Sequence, residues 1–173
     1  MPVGANEGTF APNDVRSLWG MLGPMQLDSS GLQVLSREEC LRLMSSTPIG
    51  RIVFTDRALP AVQPVAFLLD GERIVIRTGI GSKLAAATRQ AVVAFEVDEF
   101  DPELRTGWSV TAVGHARAVT DPGEMSRLAS LPLTPWAPGS KDHYIVVEAE
   151  RISGRRIIGG HASAATTLPR PES

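Results

Sequence analysis

The chain is poor in cysteine, in aromatic residues and in uninterrupted apolar runs. Cys40 is the only cysteine among 173 residues, which excludes an intrachain disulfide and a cysteine-based metal cluster and fits a reducing compartment. No stretch approaches the roughly 18 to 20 apolar residues that span a bilayer. The N-terminus lacks a basic region followed by an apolar core, so no signal peptide is expected and the cytoplasm is the expected location. A basic excess is missing too. The net charge of −2 argues against nucleic-acid binding, because phosphate contacts along a duplex need surplus Lys and Arg. His143 and His161 have no partner at metal-ligand spacing, so no metal site is expected. The glycine patterns G-x-x-x-x-G-K-[ST] and G-x-G-x-x-G are absent from the glycine-rich turn described below, which argues against a nucleotide P-loop or a dinucleotide fingerprint there.

What is present reads as one soluble domain with tails. Hydrophobic residues make up 43% and charged residues 21%, an ordinary globular balance. Residues 1–31 carry Gly, Pro, Asn and Ser without a sustained period and are expected to form a flexible arm; only Leu18, Trp19, Met21 and Leu22 offer it an apolar cluster. Residues 159–173 are small and polar, the composition of a disordered tail. The folded domain is expected at 32–158.

Ser36-Arg-Glu-Glu39 forms a capping box, with Ser36 as the cap and Glu39 able to reach back, so a helix is expected at 37–46. Thr47-Pro48 ends it. β-rich runs follow at Ile49–Thr55, Ala61–Leu69 and Arg73–Thr78, the last two joined by the hairpin signal Asp70-Gly71. A helix from Ser82 to about Gln90, strands at Ala91–Val97 and Trp108–Val119, and a helix at 122–130 opened by Asp121-Pro122-Gly-Glu124 come next. A strand pair is expected last, His143–Glu148 with Arg151–Ile157. Many strands and few short helices point to a mainly β protein, an antiparallel barrel.

The segment Arg77-Thr78-Gly79-Ile80-Gly81-Ser82-Lys83 holds the most chemistry. A strand ends in Arg-Thr, a two-glycine turn follows, and Ser-Lys opens a helix. Arg77 offers a planar fork, Thr78 and Ser82 hydroxyls, and Lys83 a compact charge, a set that suits a phosphate monoester. Each charge-assisted hydrogen bond contributes roughly 1.5–3 kcal/mol. The same residues also fit a surface turn with solvated charges and a Ser-capped helix. Residue chemistry alone leaves both readings open.

The order and spacing of Leu35-Ser-Arg-Glu-Glu-Cys40, Ile49-Gly-Arg51, Pro64-Val65, Arg77-Thr78 with Lys83, Ala94-Phe-Glu-Val97, Gly107-Trp-Ser-Val110 with Gly114, and Ser153-Gly154-Arg155 resemble the pyridoxamine 5′-phosphate oxidase-like FMN-binding split-barrel family. The similarity covers about 34–158 and is strongest to the branch that includes nitroimidazole-resistance proteins. It implies a six-stranded split β-barrel, a homodimer, and FMN in each of two inter-subunit clefts. The implied phosphate ligands are Arg77, Thr78, Ser82 and Lys83. The flavin ring would lie along Gln63, Pro64 and Val65, with Trp108 near it. Pro64 has no N–H for a strand ladder, which suits an edge or a ligand-facing position.

Trp136 lies in Leu131-Pro-Leu-Thr-Pro-Trp-Ala-Pro-Gly139, a rigid loop able to cover a pocket, and is the second tryptophan able to stack on a ring. His115 is expected to be structural and Cys40 an inert core thiol. The run Glu96, Asp98, Glu99, Asp101, Glu103 is expected to be a solvated acidic loop. Nothing after Arg156 matches the C-terminal Arg/His substrate motif of true pyridoxamine phosphate oxidases, which argues against oxidation of the vitamin. The implied activity is FMN-dependent transfer of hydride or electrons to a small planar substrate, a nitroaromatic or a quinone, with NAD(P)H as a transient donor. The alternatives are a non-catalytic flavin carrier or redox sensor, and a reductase using a deazaflavin coenzyme; FAD and haem are more distant possibilities. No catalytic side chain is assigned, since a flavin carries the transfer itself.

Overall fold

The computed structural model describes residues 26–136 and 138–158, without the side chains of Ser82, Lys83 and Thr88. The expected C-terminal tail, residues 1–25 of the expected arm and the Leu18–Leu22 cluster lie outside the described residues. In chain order the elements are β1 (Gln33–Leu35), α1 (Arg37–Ser45), β2 (Ile49–Asp56), β3 (Leu59–Asp70), β4 (Arg73–Thr78), α2 (Ser82–Thr88), β5 (Val92–Asp101), β6 (Thr106–Ala118), α3 (Pro122–Ala129) and β7 (His143–Ile157). No described helix is long and apolar enough to cross a membrane.

The sheet order is β1-β7-β4-β3-β2-β5-β6, and a further pairing of β7 with β6 closes the six longer strands into an antiparallel barrel. Closure leaves no long unpaired edge among those six. β1 adds to the far half of β7, placing Leu35 opposite Gly154. Just before it, the Asp28 carboxylate accepts from Arg155 Nε at 2.7 Å and from the amides of Ser30 and Leu32, so residues 28–32 form a tied turn.

Alternation sorts the strands into an inner and an outer face. Ile52, Phe54, Phe95, Val97, Val110 and Ala112 fill the barrel, and Cys40, Leu43 and Met44 of α1 join them. β4 breaks the alternation, because Ile74, Val75 and Ile76 are all fully buried. Ile74 and Ile76 face the barrel, while Val75 packs outward with Leu128, Leu133, Tyr144 and Val146 beneath α3. Covering both faces of β4 turns its sequence into a continuous apolar run.

The helix caps form as half of the expected boxes. Ser36 Oγ accepts from the Glu39 amide at 3.2 Å and Asp121 from the Glu124 amide at 2.7 Å. The returning carboxylates are drawn elsewhere by arginines: Glu39 pairs with Arg156 at 2.7 Å and Glu124 with Arg117 at 2.7 Å. A charged partner outbids a neutral backbone amide.

The expected final hairpin is instead one strand of 15 residues. Glu148-Ala-Glu-Arg151 is polar enough to read as a turn, yet it is a bulge: Gly114 faces Ala149 and Val113 faces Arg151, leaving Glu150 as the extra residue. The strand bends and stays paired on both sides of the bend. The acidic run also differs from a free loop. β5 continues to Asp101, so Glu96 and Asp98 project from a strand, where Arg51 binds them at 2.9 and 2.7 Å.

Candidate functional site

Antiparallel pairing of β2 with β3 sets Ile49 against Ala66, Gly50 against Val65 and Arg51 against Pro64. Pairing of β4 with β7 sets Arg77 against Tyr144 and Thr78 against His143. These two registers bring the start of β2, the middle of β3 and the end of β4 to one end of the barrel. The connection between α3 and β7 returns over the same end. Between them lies a cavity of about 370 Å³, walled by Ile49, Pro64, Val65 and Ala66 on one side, Arg77 and Thr78 at the strand end, and Pro135, Trp136 and Lys141 from the connection.

Its charge is one-sided. Arg77 and Lys141 contribute cations, and among the described residues no carboxylate lines the wall. Neither cation forms an ion pair with another described residue, in contrast to Arg51, Arg73 and Arg117, each of which holds carboxylates. Arg77 is fixed in place nonetheless. Its Nε donates to the Lys141 carbonyl at 2.6 Å, and its guanidinium carbon lies 5.7 Å from the centre of the Tyr144 ring. With Nε committed, the two Nη atoms make no hydrogen bond to another described residue. A planar fork clamped at one nitrogen and open at the other two is a ready receptor for a tetrahedral anion.

Thr78 is buried and donates to the Gly79 carbonyl at 3.1 Å. Gly79 permits a close crossing: a Cβ there would lie 2.9 Å from the Ser140 carbonyl oxygen. The rest of the wall is apolar and suits a flat ring system. Trp136 stands at the rim, 70% exposed.

Of the residues singled out in the sequence, the cavity gathers Pro64, Val65, Arg77, Thr78 and Trp136. The backbone of Ser82 and Lys83 opens α2 after Gly81, but their side chains lie outside the described set. Gln63 is half-buried, faces Ile52 in the ladder and is not part of the wall. Trp108 is elsewhere. It is buried on β6 and lines a separate cavity of about 310 Å³ with Thr106, Gly107, Arg156, Ile157 and the acidic residues Glu99 and Asp101. The two cavities share no lining residue. Ile49, Ala66, Pro135 and Lys141 were not anticipated. A signal for Lys141 existed, since Gly139-Ser140-Lys141 repeats the Gly81-Ser82-Lys83 tripeptide.

Other reactive groups are accounted for locally. Burial pushes the Cys40 thiol up, with the Glu39 charge adding to the effect, and keeps it an inert thiol. His115 Nδ1 contacts the Glu150 carboxylate at the bulge. Among the described residues, no group of three or more His, Cys, Asp or Glu is placed to hold a metal ion.

Comparison with known proteins adds relatives. An uncharacterised protein of Mycobacterium tuberculosis, Rv0080, is 41% identical over 129 residues, covering 72% of this chain and 84% of that protein. A crystal structure from Corynebacterium glutamicum, named after pyridoxamine 5′-phosphate oxidase, shares 31% identity with a TM-score of 0.65, over 73% of this chain and 98% of the other. The FAD binding protein of Mycobacterium smegmatis shares 32% identity with a TM-score of 0.58, over 71% and 95% of the two chains. A Bacteroides thetaiotaomicron protein named for 5-nitroimidazole antibiotic resistance has the same fold at 13% identity, with a TM-score of 0.57, over 73% and 89%. The sequence profile of pyridoxamine 5′-phosphate oxidase matches residues 36–156, and the chain belongs to this family of split barrels.

Proposed function

We propose that this protein is a flavoprotein that holds FMN in the Arg77 cavity and passes hydride or electrons to a small planar acceptor of the nitroaromatic or quinone kind. One arrangement carries this: a strand-end Arg-Thr pair, a carboxylate-free cationic corner and an apolar wall built on Pro64 and Val65 all meet in a single cavity. The donor set fits the two ends of a flavin phosphate. The Arg77 fork and Thr78 suit the phosphate, with Ser82 and Lys83 opening the next helix beside them, and the flat apolar wall suits the ring. FAD binding by the Mycobacterium smegmatis relative supports a flavin as the cofactor.

When bound, the flavin supplies the redox chemistry. The residues of this chain bind and orient it. Pro64 carries no N–H and so leaves its stretch of β3 open to a ligand, while Trp136 stands where it can cover the ring. Among the described residues the cavity wall is mostly apolar beside its two cations, which suits holding a ring.

A second copy of the chain belongs to this proposal. Val62, Val53, Ala94 and Val113 align across β3, β2, β5 and β6, on the side away from the buried Ile52, Phe54, Phe95 and Ala112. Val62 is 57% exposed. Pro64, a wall residue of the cavity, lies on the same face two residues beyond Val62. A subunit seated on this row would border the cavity.

The absorption spectrum of the purified protein tests the cofactor. FMN gives two visible bands, a deazaflavin one, and haem an intense Soret band. Oxidation of NAD(P)H in the presence of quinones or nitroaromatics then separates an enzyme from a carrier. A colourless protein that binds none of these flavins would refute the proposal.

A further inference from the structure

We infer that Tyr144 is a positioning residue for the anion end of the cavity: its ring holds the Arg77 guanidinium in place without taking a donor or cancelling its charge. This rests on the flavin reading of the same cavity and names the residue that keeps the phosphate grip open.

β4 carries Arg73 and Arg77 on its outward face, and the two are held by opposite means. Arg73 stands opposite Glu148, and its fork pairs with Asp70 through Nη2 and with Glu124 through Nη1 at 3.9 Å. Carboxylates hold that arginine and also neutralise it. Arg77 stands opposite Tyr144 instead, with its guanidinium carbon 5.7 Å from the ring centre. Among the described residues no carboxylate pairs with it. The bond from Nε to the Lys141 carbonyl at 2.6 Å fixes one point of the guanidinium but leaves its plane free to turn about that bond. Contact with a ring at the guanidinium carbon limits the turn. Attraction of a cation to a π face uses no N–H donor and brings no opposite charge.

Tyr144 is itself held firmly. It is 4% exposed and packs with Val75, Leu128, Leu133 and Val146 beneath α3, and its carbonyl accepts from the Val119 amide at 2.9 Å. It does not line the cavity, so it acts on a ligand through Arg77. Ordering the arginine before the anion arrives removes an entropic cost from binding.

Titration of the flavin-free full-length protein with FMN and riboflavin tests this. Tyr144→Leu should weaken FMN by about 5- to 30-fold, the range of a partly buried cation–π contact, and riboflavin by less than about 2-fold. Tyr144→Phe, which keeps the ring face, should retain the preference for FMN. In an Arg77→Ala background Tyr144→Leu should leave that preference where Arg77→Ala has set it. A second probe keeps the side chain near its natural size should Tyr144→Leu fail to fold. Tyr144 is the only tyrosine in the chain, so difluorotyrosine supplied during expression alters this ring alone. Its electron-poor face should lower the preference for FMN over riboflavin at a pH where the hydroxyl stays protonated. Equal losses of FMN and riboflavin in Tyr144→Leu would make the ring merely structural. A full loss in Tyr144→Phe, an undiminished loss in the Arg77→Ala background, or an unchanged preference with the fluorinated ring would likewise overturn the inference while leaving the flavin site intact. Failure of wild type to bind either flavin would instead bring down the flavin reading, and this inference with it.

Discussion

Arg77 holds the backbone of Lys141 through its Nε at 2.6 Å, so the residue proposed to grip a phosphate also anchors the loop that carries Trp136 over the cavity. Binding and loop position thus share one guanidinium. Arg77→Ala or Lys83→Ala should each weaken FMN by about 10- to 150-fold, the equivalent of one charge-assisted hydrogen bond at roughly 1.5–3 kcal/mol. The double variant should purify colourless. Riboflavin, which lacks the phosphate, should bind wild type and variants alike. Equal FMN affinity in wild type and double variant, measured by fluorescence titration, would place the phosphate elsewhere.

The link between α3 and the barrel should be sensitive to acid. Hydrogen bonding from Arg117, with its positive charge adding to the effect, lowers the Glu124 carboxyl below its ordinary value of 4.5; Arg127 does the same for Asp70, below 3.8. A carboxyl lowered in the folded state stabilises it above the unfolded pKa, and that contribution is lost as pH falls through the folded value. The thermal midpoint should therefore hold steady from pH 7 to about 5 and decline below the ordinary carboxylate range near 4. Glu124→Gln should lower stability at pH 7 by about 1 kcal/mol and flatten that decline. An unchanged acid profile would show that Glu124 contributes nothing to it.

The close crossing of β6 and β7 sets a steric limit. A Cβ on Gly114 would sit 1.7 Å from the Glu148 carbonyl oxygen, a backbone atom that cannot swing aside. Gly114→Ala should cost roughly 3 kcal/mol or more, read as a lower midpoint in urea unfolding with an unchanged slope. A loss under about 1 kcal/mol, the ordinary scale of a surface substitution, would mean that the bulge rearranges easily.

Signals confined to neighbouring residues were legible in the sequence. Ser36 and Asp121 cap the helices they precede, Thr47-Pro48 separates α1 from β2, and Gly71 adopts a φ of +66° in the hairpin. The β2–β3 hairpin was less clear because its turn has no glycine: Arg57 and Ala58 carry positive φ of 51° and 65°, where Asn-Gly would be the usual marker. Pairing between distant strands was not legible. Nothing local in Lys141 places it beside Arg77; the β4–β7 register does, with the carbonyl bond to Arg77. Trp108 and Trp136 both have turn-forming neighbours, yet one is buried in the barrel and the other is 70% exposed at the cavity rim. Only the side of the strand or loop on which each falls distinguishes them.

The row Val62–Val53–Ala94–Val113 supplies the last test, because it links assembly to the cofactor. Its ends differ in chemistry. Val113 faces Arg151 of β7, and the next row holds Arg51 with Glu96 and Asp98, so the apolar strip has a charged border of the kind that rims an interface. Val62 is the most exposed of its strip and tolerates a polar substitution in a lone subunit, since its side chain packs on little of its own barrel. Val62→Glu should leave the thermal unfolding of an isolated subunit nearly unchanged and convert a dimer to a monomer of 18.5 kDa by light scattering, because a carboxylate buried in an apolar interface without a partner is costly. If a second subunit completes the flavin site, the same variant should lose bound flavin in step with dimer dissociation as the protein is diluted. A Val62→Glu protein that remains dimeric would move the interface to another face, and a monomer that retains flavin with wild-type affinity would mean that the Arg77 cavity binds it without help from a partner.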